Sequence, residues 1–184
     1  RVLDMTHVQS GPSATQLLAW MGADVIKIEK PDGGDDARSW GPPFIEEASI
    51  MFHVTNRNKR SVVLDLADRA DQQRARELVA GADIVVENFR PGTMEKLHLG
   101  YPDLVDLRPD LIYCSITGFG HGGGAALPGY DLLVQAVGGL MSITGTGPGD
   151  PTKAGVALVD VLAGLHALSG ILAALAHRDR TGQG

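Results

Sequence analysis

The stretch VLDMTHVQSGPSATQLLAWMGADVIKIEK, Val2 to Lys30, decides the fold. An apolar run at Val2–Met5 reads as a strand. A segment of helical character follows at Ser13–Met21, and a β-branched run at Asp24–Glu29 reads as a second strand. Strand, helix and strand in close succession are the pattern of an α/β domain with a mostly parallel sheet. The pattern continues outward. Further strands are predicted at Ser61–Asp65, Asp83–Asn88, Leu111–Thr117 and Gly155–Val159. Helices are predicted at Ser49–Asn56, Ala70–Ala80, Tyr101–Leu107, Asp131–Met141 and Val161–His177. The last helix is apolar nearly all round, so deep burial is expected for it. Glycine and proline clusters at Pro31–Pro43, Gly118–Gly129 and Gly145–Pro151 read as loops.

The 184 residues suit one domain, and 43% hydrophobic residues describe a globular chain. A net charge of −6 would repel a phosphate backbone, which makes nucleic acid an unsuitable partner. Cys114 is the single cysteine, so one chain can build neither a disulfide framework nor a thiolate zinc cluster, and a reducing cytoplasm fits. No apolar run reaches the roughly 18 residues of a membrane span, and no membrane association is expected. Arg1 opens directly on a strand without an initiator methionine and RTGQG closes the chain as a loop would, which reads as a piece of a longer polypeptide.

In parallel sheets, ligands gather beyond the carboxyl ends of the strands. His7–Pro12, Asn88–Gly92, Gly118–Tyr130 and Asp160 all fall at or after predicted strand ends, so one site can draw on all four. GTGPGDPTK matches neither the dinucleotide nor the phosphate-loop glycine spacing. The histidines at 7, 53, 98, 121, 166 and 177 have no metal-ligand spacing, so no metal is expected, and His166 reads as a core residue. The cations of NRNKRS, among them Arg57 and Lys59, read either as a solvated turn or as a dock for the phosphates of a small ligand. ENFRPG places Asn88, Phe89 and Arg90 where an adenine could stack or hydrogen-bond. Asp160 breaks the apolar run KAGVALVDVLAG. Aspartate there can cap a helix or, held ionised at the helix start, act as a covalent nucleophile; the spacing does not choose between the two.

These motifs together resemble the family III coenzyme A transferases, which include formyl-CoA transferase and the carnitine CoA-transferases. The resemblance runs through VLDMTHVQSGPSATQLLAWMGADVIKIEKP, NRNKRSVVLDL, ADIVVENFRPG, YCSITGFG, GYDLLVQAVGGLMSITG and ALVDVLAGLHALSGILAALAHRDRTGQG, in the family's order. It implies a Rossmann-like sheet, with residues 1–184 forming the amino-terminal part of a large domain. The remainder of that domain and a smaller domain would lie outside the chain. It implies an intertwined homodimer, acyl-CoA and a small carboxylic acid as substrates, and no cofactor, coenzyme A being itself a substrate.

The family's nucleophilic aspartate matches Asp160, and its active-site glutamine matches Gln9, with His7, Val8 and Ser10 in the same loop. Lys30, Arg57, Lys59, Leu64, Asn88, Phe89, Arg90 and Lys96 are the coenzyme A contacts the resemblance implies, and Tyr130 matches an active-site tyrosine. Lys30 and Lys96 stand where formyl-CoA transferase has arginines, and Ala67 where it has a lysine. These departures argue against formyl specificity, and GYDLLVQAVGGLMSITG looks more like the succinate-type or carnitine branches. Racemases acting on 2-methylacyl-CoA resemble the chain too, but carry a histidine in place of Tyr130. A phenol with an ordinary pKa of about 10 exchanges protons poorly at neutral pH, which favours transfer over racemisation. A module that binds coenzyme A without turnover is the other alternative.

Overall fold

The computed structural model describes residues 1–184. Five strands form one parallel sheet: β1 (Val2–Met5), β2 (Val25–Glu29), β5 (Lys59–Val63), β6 (Ile84–Glu87) and β7 (Ile112–Ser115). Their order is β5-β2-β1-β6-β7, and a two-stranded hairpin of β3 (Phe44–Ile45) and β4 (Ala48–Ser49) stands apart. The chain first builds outward from β1 through α1 (Ser10–Trp20) to β2, and through α2 (Ile50–Thr55) to β5. It then returns through α3 (Arg69–Ala80) to place β6 on the other side of β1. Helices α4 (Thr93–Lys96) and α5 (Tyr101–Leu104) precede β7, and α6 (Asp131–Val137), α7 (Leu140–Ile143) and α8 (Leu158–Thr181) follow it.

Helices cover both faces. On one, Leu3, Met5, Ile26, Ile28 and Val85 pack with Ala75 and Val79 of α3, Met94 of α4 and Leu104 of α5. On the other, Val2, Val25, Ile84, Val86 and Ile112 meet Leu18 and Ala19 of α1 and Leu168 and Ile171 of α8. The second face turns polar toward the strand ends, where Asp4 of β1 stands in register with Lys27 of β2. Both are buried, Lys27 at 1% exposure. Lys59 Nζ pairs with Asp4 at 2.9 Å, and Lys27 Nζ lies 2.9 Å from Asp35 Oδ2. Burial alone would raise the Asp4 pKa, but Lys59, Lys27 and the hydroxyls of Thr15 and Thr6 overcome it and hold the group ionised. Two paired charges of each sign are how the fold tolerates ions beneath α1.

Several expectations are corrected. The predicted strand at Gly155–Val159 does not form: the segment runs unpaired into α8, which begins at Leu158. It pairs with neither edge strand of the sheet, and Val159 and Val161 lie inside the helix. The predicted helix Asp131–Met141 breaks at Gly139, whose φ of 83° a helix interior does not admit. Helix α8 is not deeply buried. Only Gly164, Leu168 and Ile171 are covered, and Leu162 and Leu165 are each 45% exposed, because one stripe packs on α1 and β7 while these 184 residues place nothing over the rest. By length and composition α8 is also apolar enough to cross a membrane, with mean hydropathy 1.9 over its best window, contrary to the expectation that no segment would be. His166 is exposed, its Nδ1 2.8 Å from the Leu162 carbonyl, and is not a core residue.

Helices α1 and α8 approach most closely at Gly164, where a Cβ would sit 2.8 Å from the Ser10 carbonyl oxygen and 3.4 Å from Ser13 Cβ. The obstacle is backbone, so it cannot rotate aside. Gly164→Ala is therefore expected to lower stability by about 1–3 kcal/mol despite alanine's higher helix propensity, read as a lower midpoint in urea unfolding.

Candidate functional site

The sheet order reverses between β1 and β6, and the loops after these strands diverge there, the usual ligand position in an open α/β sheet. A cleft of about 440 Å³ opens at this point. His7, Val8 and Ser10 line it from the loop after β1, Asn88, Phe89 and Arg90 from the loop after β6, and Ile116–Gly120 from the loop after β7. Tyr130, Asp131, Val159, Asp160 and Ala163 close the far side from the starts of α6 and α8. Segments far apart in sequence thus meet at one opening.

Asp160 lies in the third position of α8, and Ala157 is the capping residue, without a side chain that can cap. The cap comes from elsewhere. Asp131, at the start of α6 and only 8% exposed, accepts hydrogen bonds through Oδ1 from the Val159 N–H at 2.8 Å and the Asp160 N–H at 3.3 Å. Its Oδ2 accepts from Gln135 Nε2 at 2.6 Å, and Gln135 Oε1 accepts from the Ala154 N–H at 2.9 Å. Lys153 Nζ stands 3.8 Å from Asp131 Oδ2. Asp160 itself makes no side-chain hydrogen bond and is half-buried beside the cleft. The capping half of the alternative is answered: Asp131 caps α8, and the Asp160 carboxylate is not engaged as a cap. Burial and the neighbouring Asp131 charge push its pKa up to about 6, while Lys153 pulls the other way.

The loop after β1 is fixed from three sides. Lys27 Nζ donates to the Thr6 carbonyl at 2.6 Å, the Asn88 side chain bonds both the N–H and the carbonyl of His7 at 3.0 and 2.9 Å, and Asp35 Oδ1 accepts from the Val8 N–H at 3.0 Å. Val8 sits at φ 70°, a left-handed conformation that a β-branched residue rarely adopts. The His7 and Phe89 rings lie 5.4 Å apart, and burial lowers the His7 pKa against the pull of Asp35 and Asp36, leaving a neutral imidazole at pH 7.

The other predicted residues divide. Gln9 precedes α1, half-buried, but does not line the cleft. Tyr130 lines it with 66% exposure, and Arg90 lines it with no side-chain partner. Lys30 borders two other hollows beside β2, of about 190 and 590 Å³, and pairs with Asp36 at 2.5 Å. Arg57 and Lys96 are exposed and lie outside the cleft. Two expectations are corrected. The Lys59 ammonium is buried, held by Asp4, the Pro12 carbonyl at 2.9 Å and Asn56 Oδ1 at 2.8 Å, and cannot reach a ligand in this arrangement. The Leu64 side chain lies in the core below α3, so only its backbone is available for contact. Asp131, Asp35 and Lys27 escaped the sequence reading. Lys27 and Glu29 alternate with isoleucines in VIKIE, as residues of a solvent-facing strand edge would, whereas the sheet buries both of its faces.

The fold is a doubly wound α/β domain with a cleft at the switch point of its sheet. The chain belongs to CoA-transferase family III, whose model matches residues 1–184. It is 50% identical over 191 aligned residues to the succinate–glutarate CoA-transferase of Agrobacterium fabrum, covering all of this chain and 48% of that protein. It is 45% identical to the formyl-CoA:oxalate CoA-transferase of Streptomyces avermitilis, covering 45% of that protein. The crystal structure of a CaiB/BaiF family protein from Brucella suis superposes on the whole chain with TM-score 0.95 at 46% identity, over 50% of its own length. The chain thus spans about half the length of the relatives it matches.

Proposed function

We propose that the protein containing this chain transfers coenzyme A from an acyl-CoA donor to a carboxylic acid, with Asp160 as nucleophile. The observation that carries the reading is the unengaged Asp160 carboxylate at the cleft wall, released from capping by Asp131. Asp160 attacks the thioester carbonyl, forming a mixed anhydride and expelling the coenzyme A thiolate. The thiolate attacks the aspartyl carbonyl, freeing the donor acid and leaving an aspartyl-CoA thioester. The acceptor carboxylate attacks that thioester and releases the thiolate again. The thiolate then attacks the acceptor carbonyl of the new anhydride, which restores Asp160. Every intermediate is an activated acyl group, so no nucleotide is consumed. The half-buried position of Asp160 is suited to keeping water from the anhydride.

In this reading His7, Val8, Ser10 and Gln9 flank the reacting carbonyl, Asn88, Phe89 and Arg90 meet the coenzyme, and Lys30, Arg57 and Lys96 lie along its phosphates. The 50% identity to a succinate–glutarate enzyme, against 45% to a formyl-CoA:oxalate enzyme, and the departures at Lys30, Ala67 and Lys96 support a succinate-type dicarboxylate. The working form is an intertwined cytoplasmic homodimer without a cofactor, in which this chain supplies the amino-terminal part of the large domain. An assay of the full-length protein with succinyl-CoA and a panel of carboxylic acids, read by mass spectrometry of the acyl-CoA products, tests it. New acyl-CoA species support transfer. Coenzyme A binding without exchange supports a non-catalytic module, and deuterium uptake into 2-methylacyl-CoA supports a racemase.

A pH dependence follows. Asp160 attacks only when ionised, so kcat/KM is expected to rise through about pH 6 and to stand at roughly one-tenth of its plateau at pH 5. A profile flat from pH 5 to 8 would separate Asp160 from the rate.

A further inference from the structure

Val8 holds the least favourable backbone conformation at the cleft, and a buried charge pair on no part of the proposed reaction path faces it. Left-handed φ on a β-branched residue costs about 1–3 kcal/mol and persists only where the surroundings enforce it. Asp35 supplies that enforcement. Its carboxylate is 4% exposed, and Oδ1 takes the Val8 N–H at 3.0 Å and the Ala37 N–H at 2.9 Å. Oδ2 lies 2.9 Å from the buried Lys27 ammonium, which itself donates to the Thr6 carbonyl two residues before Val8. One ion pair therefore grips both ends of the turn Thr6–Val8. That turn leads directly into α1, whose Ser10 carbonyl faces Gly164, one helical turn beyond Asp160.

We propose that Asp35 is a positioning residue: paired with Lys27, it holds Val8 in its left-handed turn and so sets the cleft wall opposite Asp160. The proposal rests on the reading of Asp160 as the nucleophile for its kinetic consequence, but not for its structural one. A plainer role exists, since Asp35 also caps the short 3₁₀ turn Asp36–Ser39 through the Ala37 N–H. The two roles separate in a glycine background, because glycine adopts φ 70° without being held.

The test uses the full-length protein. Asp35→Ala is expected to lower kcat about 100-fold, the scale of an ångström-sized misplacement of a reacting wall, with KM for acyl-CoA within about threefold. In a Val8→Gly background, whose own kcat is the reference, the same substitution should lower kcat by less than about fivefold. Equal losses in both backgrounds would assign Asp35 to the 3₁₀ cap and to neutralising Lys27 rather than to holding Val8, and would overturn the proposal. If Asp35→Ala does not fold, Lys27→Met with Asp35→Asn keeps the oxygen that accepts from Val8 and removes both charges. The Lys27 bond to the Thr6 carbonyl goes with the charges, so its kcat should fall about tenfold; an unchanged kcat would remove the ion pair from the clamp, and a fall of about 100-fold would show that the Val8 bond is not its main hold. Amide exchange across Thr6–Ser10 decides independently of turnover: faster exchange in the Asp35 variant supports the clamp, unchanged exchange overturns it. A wild type without CoA transfer would overturn the proposed function and leave the exchange result standing.

Discussion

Asp160→Asn is expected to lower CoA transfer by at least about 1,000-fold while the protein stays folded and gains stability at neutral pH. The loss follows from removing the only attacking anion; an amide of the same shape cannot form the anhydride. The fold survives because the helix cap belongs to Asp131, whose bonds to the Val159 and Asp160 N–H groups involve no Asp160 side-chain atom. The stability gain follows from linkage. The folded pKa of Asp160, about 6, lies above the ordinary carboxylate value, so the folded state holds the proton more tightly than the unfolded chain. Wild type therefore loses stability as pH rises from about 4 to about 6 and carries the full penalty at pH 7. Asparagine carries none. For a half-buried group screened by water, and after the favourable interaction of the anion with the helix start is subtracted, the gain is about 1 kcal/mol at pH 7, vanishing near pH 3.5. Urea unfolding at both pH values reads it. A variant less stable than wild type at pH 7 would return Asp160 to a structural role.

The second large effect is on Asp131. Asp131→Ala should destabilise the protein by about 3 kcal/mol, combining a lost cap with a buried Gln135 amide left without its acceptor. Activity should fall with it, because the segment Ala154–Asp160 is tied to α6 through Asp131 and Gln135 alone. Asp131→Asn separates charge from geometry. It keeps an oxygen for the Val159 and Asp160 N–H groups, sets its own amide NH2 against the buried Gln135 Nε2 donor, and removes the negative charge that helps raise the Asp160 pKa, so stability should fall by about 1–3 kcal/mol and the acid limb of kcat/KM should move below pH 6. An acid limb that stays in place would show that burial alone sets the Asp160 pKa.

The parallel sheet was legible because each strand is a short apolar run, and the crossover helices show their character locally. What escaped was nonlocal. GVALV reads as a strand by its β-branched residues, yet the segment pairs with no strand, and the helix that takes up its end is capped by Asp131, far earlier in the chain than its cap position Ala157. NRNKRS reads as a cationic surface, but Lys59 turns inward to Asp4, Arg60 pairs with Asp24, and only Arg57 stays without a partner. The all-round apolar helix near the carboxyl end promised burial, whereas burial depends on what lies against it. The candidate nucleophile was legible only through resemblance, because its spacing serves a cap equally well; the geometry gives the cap to Asp131.

The most direct test of the account is the covalent state of Asp160 during turnover. Full-length protein is incubated with acyl-CoA, quenched in acid, digested and analysed by mass spectrometry, with a parallel sample treated with hydroxylamine. The account predicts a coenzyme A adduct on the peptide containing Asp160, converted by hydroxylamine to a hydroxamate at that residue and absent from Asp160→Asn. Active protein that turns over acyl-CoA with no adduct at Asp160, or with one at another residue, would contradict it.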